Sequence, residues 1–291
     1  MGTSWSASIV APPEGSDRAI RVVLDSVIAS MSNWEAESAI SRFNQMPVGQ
    51  WMDLPDDLLF VLSAGLDIAA RSRGAFDPAI GRLVDHWGFG PPPWGPSSSP
   101  RHDGQSWRAI EVAERRARRM ADVALDLSGI AKGYAVDAVA DRLRAMGCRH
   151  FLIEIGGELR GEGVRPDGQP FWVDLESPPG LAALPVMRIA LCGLSVATSG
   201  DYRRFREEDG RRLSHSIDPA INSPIDNGVA SVSVLHSSAM LADAWATAFG
   251  VLGPLAGMQL AAREGLAVLM IVREGDGARE YMTPALSAML G

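Results

Sequence analysis

Asp243 and Thr247 stand four residues apart in the run Ala239-Met-Leu-Ala-Asp-Ala-Trp-Ala-Thr-Ala-Phe-Gly. On a helix that interval puts both on one face, with Ala239, Ala246 and Gly250 beside them. Side chains this small let something approach closely. A carboxylate and a hydroxyl there suit a hard cation such as Mg²⁺, which keeps other positions for water or phosphate oxygen. The same pair also fits a packed helix whose Asp and Thr bond neighbouring backbone. Leu241, Ala244, Trp245, Ala248 and Leu252 fall roughly opposite and read as core.

A second stretch, Asp126 to Glu158, offers different chemistry. Val123 to Leu127 alternates into a short apolar segment that reads as a strand. Ser128-Gly129 breaks it, and Ser is a good helix N-cap. Val136, Val139, Ala140 and Leu143 then share one helical face, and Gly147 supplies a stop. Free N–H groups at the first turn, with Lys132 inside it, make an anion site that could take a phosphate. A Ser cap and a nearby Lys also occur wherever helices need caps and surfaces need charge. After the strand Phe151 to Ile155, Gly156-Gly157 would let backbone come close to a ligand.

His215 and Asp218 lie close in sequence, a pattern open both to a general base and to a structural hydrogen bond. His86, His102, His150 and His236 have no ligand spacing. Gly-x-Ser-x-Gly, Gly-x-Gly-x-x-Gly and Walker patterns are absent, which argues against serine-hydrolase, dinucleotide and P-loop readings.

The elements that must position these residues follow from periodicity. Ala7 to Val10 reads as a strand. Ile20, Val23, Leu24, Val27, Ile28 and Met31 form a helical stripe after Ser16. A helix carrying Leu58, Val61, Leu62, Leu66 and Ala69 follows Pro55, and a short one runs from Ile80 to Trp87. Residues 90–106, rich in Pro, Gly and Ser, read as a flexible surface loop. Arg115, Arg116, Arg118 and Arg119 read as a solvated hairpin edge. Phe171 to Leu175, Ile189 to Ala197, Val229 to Leu235 and Leu266 to Val272 are expected strands, with a charged hairpin at Arg203 to Arg212. Ser237 or Ser238 caps a helix from Ala239 to Leu252, and Pro284 to Leu290 is a terminal helix. We expect one domain over residues 1–291. Its two strand, Ser-loop, helix, strand units, 123–155 and 229–272, are similar in order though not in sequence.

Composition bounds the rest. With 291 residues, 46% apolar and 21% charged, the chain can bury a sizeable core. A net charge of −8 argues against a general nucleic-acid or anionic-membrane binder. Cys148 and Cys192 offer neither a disulfide framework nor metal spacing. No run of 18 apolar residues occurs, so no transmembrane segment is expected, and the opening residues show no secretory signal pattern.

Nine ordered segments carry a resemblance that covers nearly the whole chain. They are Met1-Gly-Thr-Ser-Trp-Ser, Ser38 to Asn44, Gly74-Ala-Phe-Asp-Pro, Trp87-Gly-Phe-Gly, Asp126 to Asp137, Gly156-Gly157-Glu158, Ala197-Thr-Ser-Gly-Asp-Tyr, His215-Ser-Ile-Asp-Pro and Ser238 to Ala248. In these the chain resembles the ApbE family, the FAD:protein FMN transferases.

The resemblance implies an α+β fold of antiparallel-rich sheets flanked by helices, related to the T-fold. It implies Mg²⁺-dependent transfer of FMN from FAD to a Thr or Ser hydroxyl of an acceptor flavoprotein, releasing AMP. Mg²⁺ would be held by Asp243, Thr247 and the carbonyl of Ala131. The flavin nucleotide would touch Met1, Trp34, Ala75, Phe76, Asp77 and Ser128, with Trp34 standing where relatives often carry Tyr. Lys132 would face the pyrophosphate, and His215 is the candidate base with Asp218 as orienter or substitute. The family implies a periplasmic location, while the lack of a visible signal pattern keeps a cytoplasmic one open. Where relatives continue His-x-x-Asp-Pro with Arg-Thr-Gly-x-Pro, this chain has Ala220-Ile-Asn-Ser-Pro. FAD pyrophosphatase and non-catalytic FAD-binding readings stand beside the transferase.

Overall fold

Ile20, Leu24, Val27 and Met31 are all buried along the helix Ser16–Met31, as their spacing predicts. The structure, a computed structural model, describes residues 3–92, 104–181, 186–202, 205–208, 211–275 and 277–290. Met1 and residues 93–103 of the Pro-rich stretch lie outside the described residues. The chain divides into two compact units. One contains Asp25–Ala131 and Arg204–Asp226, the other Gly2–Leu24, Lys132–Arg203 and Asn227–Gly291.

The second unit is built on a seven-stranded sheet. Its strands run, edge to edge, Trp5–Ile9, Phe151–Ile155, Glu158–Glu162, Leu194–Gly200, Val229–His236, Ala267–Glu274 and Gly277–Met282. Every neighbouring pair is antiparallel. Val229–His236 is buried at every position but the last, because the helix Ala239–Arg263 packs against it. A strand covered on both faces reads as a continuous apolar and small run rather than an alternation. Phe151–Ile155 alternates instead, with Phe151, Ile153 and Ile155 buried.

Ile189 to Ala197 is not one strand. Arg188–Leu191 pairs with Phe171–Asp174 in a separate two-stranded sheet, while Leu194–Gly200 enters the central one. The switch occurs at Gly193, whose φ of 72° suits glycine. The helix expected to end at Leu252 continues past a break at Gly253 (φ 75°, ψ −176°) to Arg263. Asn227 Nδ2 donates to the carbonyls of Gly250 (2.9 Å) and Val251 (3.2 Å), closing the first part. Pro254 then opens the second, where a missing N–H costs little. By length and composition alone this helix could cross a membrane; Trp245, Phe249 and the small residues around them lie in the core.

The first unit holds the helices Ala39–Gln45, Asp56–Arg71 and Gly81–His86. Its three-stranded sheet runs Met52–Asp53, Arg116–Arg119, Ile110–Ala113. Leu58, Val61, Leu62, Ile68 and Ala69 form the buried face of Asp56–Arg71. The basic cluster is solvated only in part. Arg116 and Arg118 lie over the Trp51 ring, whereas Arg119 is buried and donates to the carbonyls of Val123 and Met46. A guanidinium can be buried when carbonyls meet its fork of donors.

Val123 to Leu127 does not form a strand; only Ala124 makes an isolated bridge, to Ile80. Its backbone groups are satisfied otherwise. The Asn44 amide accepts from Leu125 N at 2.7 Å and donates to Leu125 O at 2.9 Å, and Asn33 Nδ2 also reaches Leu125 O at 3.1 Å. Asp126 N donates to Pro78 O at 2.9 Å. Two asparagine side chains do here what a neighbouring strand would do elsewhere.

Candidate functional site

Two helix starts meet in the second unit. The Lys132 helix (Ala131–Ala145) and the Asp243 helix (Ala239–Arg263) approach so closely at Gly133 that a Cβ there would lie 2.2 Å from Ala239 O and 2.7 Å from Met240 Cα. Ser238 caps the second helix, its Oγ accepting from Leu241 N at 3.3 Å. The Asp243 carboxylate, 3% exposed, accepts from Gly133 N at 3.1 Å. It therefore satisfies one of the first-turn N–H groups that a helix leaves unbonded.

Lys132 Nζ lies 3.4 Å from Asp243 Oδ1 and 3.5 Å from Glu158 Oε1. Glu158 opens its strand and is 2% exposed, and Lys132 is 28% exposed. Burial pushes the ammonium pKa down, but the charge of Asp243, then that of Glu158, and hydrogen bonds to both carry it well above the usual lysine value. Lys132 is held as a cation. Gly156 (φ 63°) stacks its backbone against the Lys132 stem, since a Cβ there would meet Thr3 Oγ1 at 2.8 Å and Lys132 Cδ at 3.3 Å. Gly157 (φ 100°) donates its N–H to Glu154 Oε1 at 2.8 Å, so the turn is set by its own strand.

Thr247 sits one turn beyond Asp243, with its Oγ1 3.3 Å from Ser199 Oγ. Lys132, Glu158 and Asp243 together sum to one negative charge in a largely buried setting, which favours a further cation. Among the described residues no three His, Cys, Asp or Glu side chains gather as a metal site. Asp243 and Thr247 are hard oxygen donors, and such a sparse set fits Mg²⁺, which commonly takes one or two carboxylates plus water and substrate phosphate.

The first unit contains the remaining expected residues. Trp34 is 54% exposed and free to present its ring to a ligand. Phe76 and Asp77 are buried at 4% and 5%. Asp77 Oδ1 accepts from Ala79 N at 2.8 Å and Oδ2 from Trp107 N at 3.3 Å, so it shapes the Gly74–Pro78 turn. Ala75 is half-buried. The Lys132 helix begins at Ala131, itself buried, rather than at Ser128, whose Oγ donates to Asp126 Oδ1 at 2.5 Å.

His215 is half-buried with its ring edge-on to Phe89 at 6.5 Å. Asp218 Oδ1 accepts from Ala220 N at 2.9 Å, the local turn of an Asp-Pro pair. Asn222 adopts φ 57°, the left-handed conformation that glycine would otherwise supply, and its carbonyl accepts from Trp87 Nε1 at 3.1 Å.

Sequence reasoning assigned no role to Glu158, Ser199 or Asp137. Glu158 follows Gly156-Gly157 directly, a visible signal for a residue at the tip of a turn. Nothing local marks the other two.

The model of the ApbE family matches residues 1–270. The chain belongs to the ApbE family. A FAD:protein FMN transferase of Vibrio cholerae is 35% identical over 303 residues, covering 100% of this chain and 90% of its own. One of Escherichia coli K12 is 33% identical, covering 100% and 87%. The structure of a flavin transferase ApbE from Vibrio cholerae superposes with a TM-score of 0.89 at 33% identity over 99% of this chain and 96% of that one. The apo flavinyl transferase ApbE of Pseudomonas stutzeri gives 0.87 at 33% identity, covering 99% and 97%. The α+β fold expected of an ApbE-family chain is the fold observed.

Proposed function

We propose that this chain transfers the FMN portion of FAD to a Thr or Ser hydroxyl of an acceptor protein and releases AMP. The observation that carries the reading is the buried Asp243 carboxylate, with Thr247 one turn on and the Lys132 ammonium 3.4 Å away, in a chain whose full-length relatives bear that activity in their names. In the reaction the acceptor oxygen bonds the FMN phosphorus, and the anhydride P–O bond breaks. The bridging oxygen leaves with AMP, and the hydroxyl proton passes to a base.

Asp243 and Thr247 are the proposed holders of Mg²⁺, which when bound neutralises charge on phosphoryl oxygens. Lys132, kept cationic, adds a fixed positive charge for the pyrophosphate. Glu158 keeps that ammonium in place. The acceptor brings its own nucleophile, so the chain supplies positioning and charge. From the first unit we propose the exposed Trp34 ring as a stacking surface for the flavin and His215 as the base. Asp218, engaged by its own turn, is the poorer base.

The test incubates the full chain with FAD, Mg²⁺ and a Thr-bearing acceptor flavoprotein domain, and reads intact mass. A covalent FMN adduct that disappears with EDTA and in Asp243→Ala supports the transferase. Free FMN and AMP without an adduct would establish a pyrophosphatase, and bound intact FAD a binding protein.

A further inference from the structure

The carboxylate of Asp137, on the Lys132 helix, gathers the start of the Asp243 helix. Oδ2 accepts from Ser238 Oγ at 2.7 Å and Met240 N at 3.0 Å, and Oδ1 accepts from Ala239 N at 3.0 Å. Arg160 Nη1 reaches Oδ1 at 2.5 Å and balances the charge. In return, Asp243 accepts from Gly133 N at 3.1 Å. Gly133 and Asp137 are one turn apart on their helix, as Ala239 and Asp243 are on theirs. Each helix thus lends a carboxylate to the other's N-terminus, where unbonded N–H groups and the helix dipole favour negative charge.

We infer that Asp137 is a positioning residue for the transfer reaction: it sets where Asp243 stands relative to Lys132 and the first turn of its helix. The inference rests on the role proposed above for Asp243. Asp137 is engaged by Ser238, Ala239, Met240 and Arg160, and its proposed effect runs through Asp243. Its leverage comes from rigidity. The Asp243 helix begins at Ala239, and three bonds from Ser238, Ala239 and Met240 to one carboxylate fix that beginning against the Lys132 helix. Gly133 leaves no slack, because the backbones are already in contact there. A shift at Ala239 would carry Asp243 and Thr247 with it. Groups that hold a metal ligand in place typically account for ~10–100-fold in affinity or rate.

The test compares wild type with Asp137→Asn, which keeps the shape but loses the charge and one acceptor. Amide hydrogen exchange is read at Gly133, Ala239 and Met240, and Mn²⁺ binding is titrated by electron paramagnetic resonance. The expected result is faster exchange at Gly133 as well as at Ala239 and Met240, with Mn²⁺ affinity and kcat each down about 10-fold or more and the KM for FAD changed less. Faster exchange confined to Ala239 and Met240, with Gly133 and Mn²⁺ affinity unchanged, would reduce Asp137 to a local cap and overturn the inference. Should Asp137→Asn fail to fold, Ser238→Ala removes one of the four donors and is read in the same way. Wild-type Mn²⁺ binding that ignores Asp243→Ala would sink the metal role of Asp243 instead, and Gly133 exchange would still decide Asp137.

Discussion

Lys132 and Asp243, 111 residues apart in sequence, form a contact of 3.4 Å in which a largely buried ammonium faces a buried carboxylate. Two carboxylates share that one ammonium, since Glu158 stands 3.5 Å from the same nitrogen. The arrangement holds the lysine as a cation between two buried carboxylates.

Removing the ammonium has a predictable cost. Lys132→Met leaves Asp243 and Glu158 uncompensated, and breaking a buried pair typically costs about 3–5 kcal/mol. Urea unfolding at neutral pH measures it. Because the folded pKa of Lys132 lies above the unfolded value of about 10.4, its stabilisation is complete below that pH. It fades as pH rises through the folded value. Wild-type unfolding midpoints should therefore carry a decline above about pH 10 that Lys132→Met lacks. A neutral-pH loss under about 1 kcal/mol would mean that the pair behaves as a solvent-exposed one.

Gly133→Ala tests the contact between the helix starts. On an exposed helix the substitution stabilises by about 1 kcal/mol. Here the new Cβ would sit 2.2 Å from Ala239 O, and backbone cannot swing aside as a side chain can. Destabilisation of about 1–3 kcal/mol is expected, with loss of transfer activity. Thermal unfolding gives the sign, and a rise in Tm would contradict the packing described.

Trp34→Ala should weaken FAD binding about 2–10-fold, the worth of one aromatic stacking contact, and change kcat less. Trp34→Tyr should recover most of the affinity, because a ring face remains. Steady-state kinetics separate the two parameters. Equal KM values in all three proteins would remove Trp34 from the site.

Asn222 permits a comparison of turn residues. At φ 57° asparagine is tolerated and glycine is at ease, so Asn222→Gly should be nearly neutral. Asn222→Val should cost about 1–2 kcal/mol, the penalty of a left-handed conformation for an L-residue with a branched side chain. Denaturant midpoints for the pair read this difference. Acceptor flavinylation by Asn222→Gly at the wild-type rate would show that this departure from the family pattern is conformationally conservative.

What the sequence determined by itself was whatever depends on near neighbours. Ile20, Leu24, Val27 and Met31, and Leu58, Val61, Leu62 and Ala69, stand at helical spacing and are buried as it requires, while Val23, Ile28 and Leu66 at the margins of those stripes are half-buried. Asp243 and Thr247 were bound to share a face once their segment was helical. A cap at Ser237 or Ser238 was legible because it acts on backbone within a few residues. The ordered segments, being local strings, disclosed the family.

The tertiary structure decided what depends on residues far apart. Val123 to Leu127 has a strand's alternation, yet Asn44, 81 residues away, takes its backbone bonds. Ile189 to Ala197 reads as continuous, but pairing partners on either side of Gly193 draw its halves into different sheets. Glu158 and Asp137 gained their roles from an ammonium and a helix start that no local pattern brings near them. Periodicity records which face of an element is apolar. Which carboxylate meets which charge is settled only when those faces pack, because burial turns a weak encounter in water into a strong and selective one.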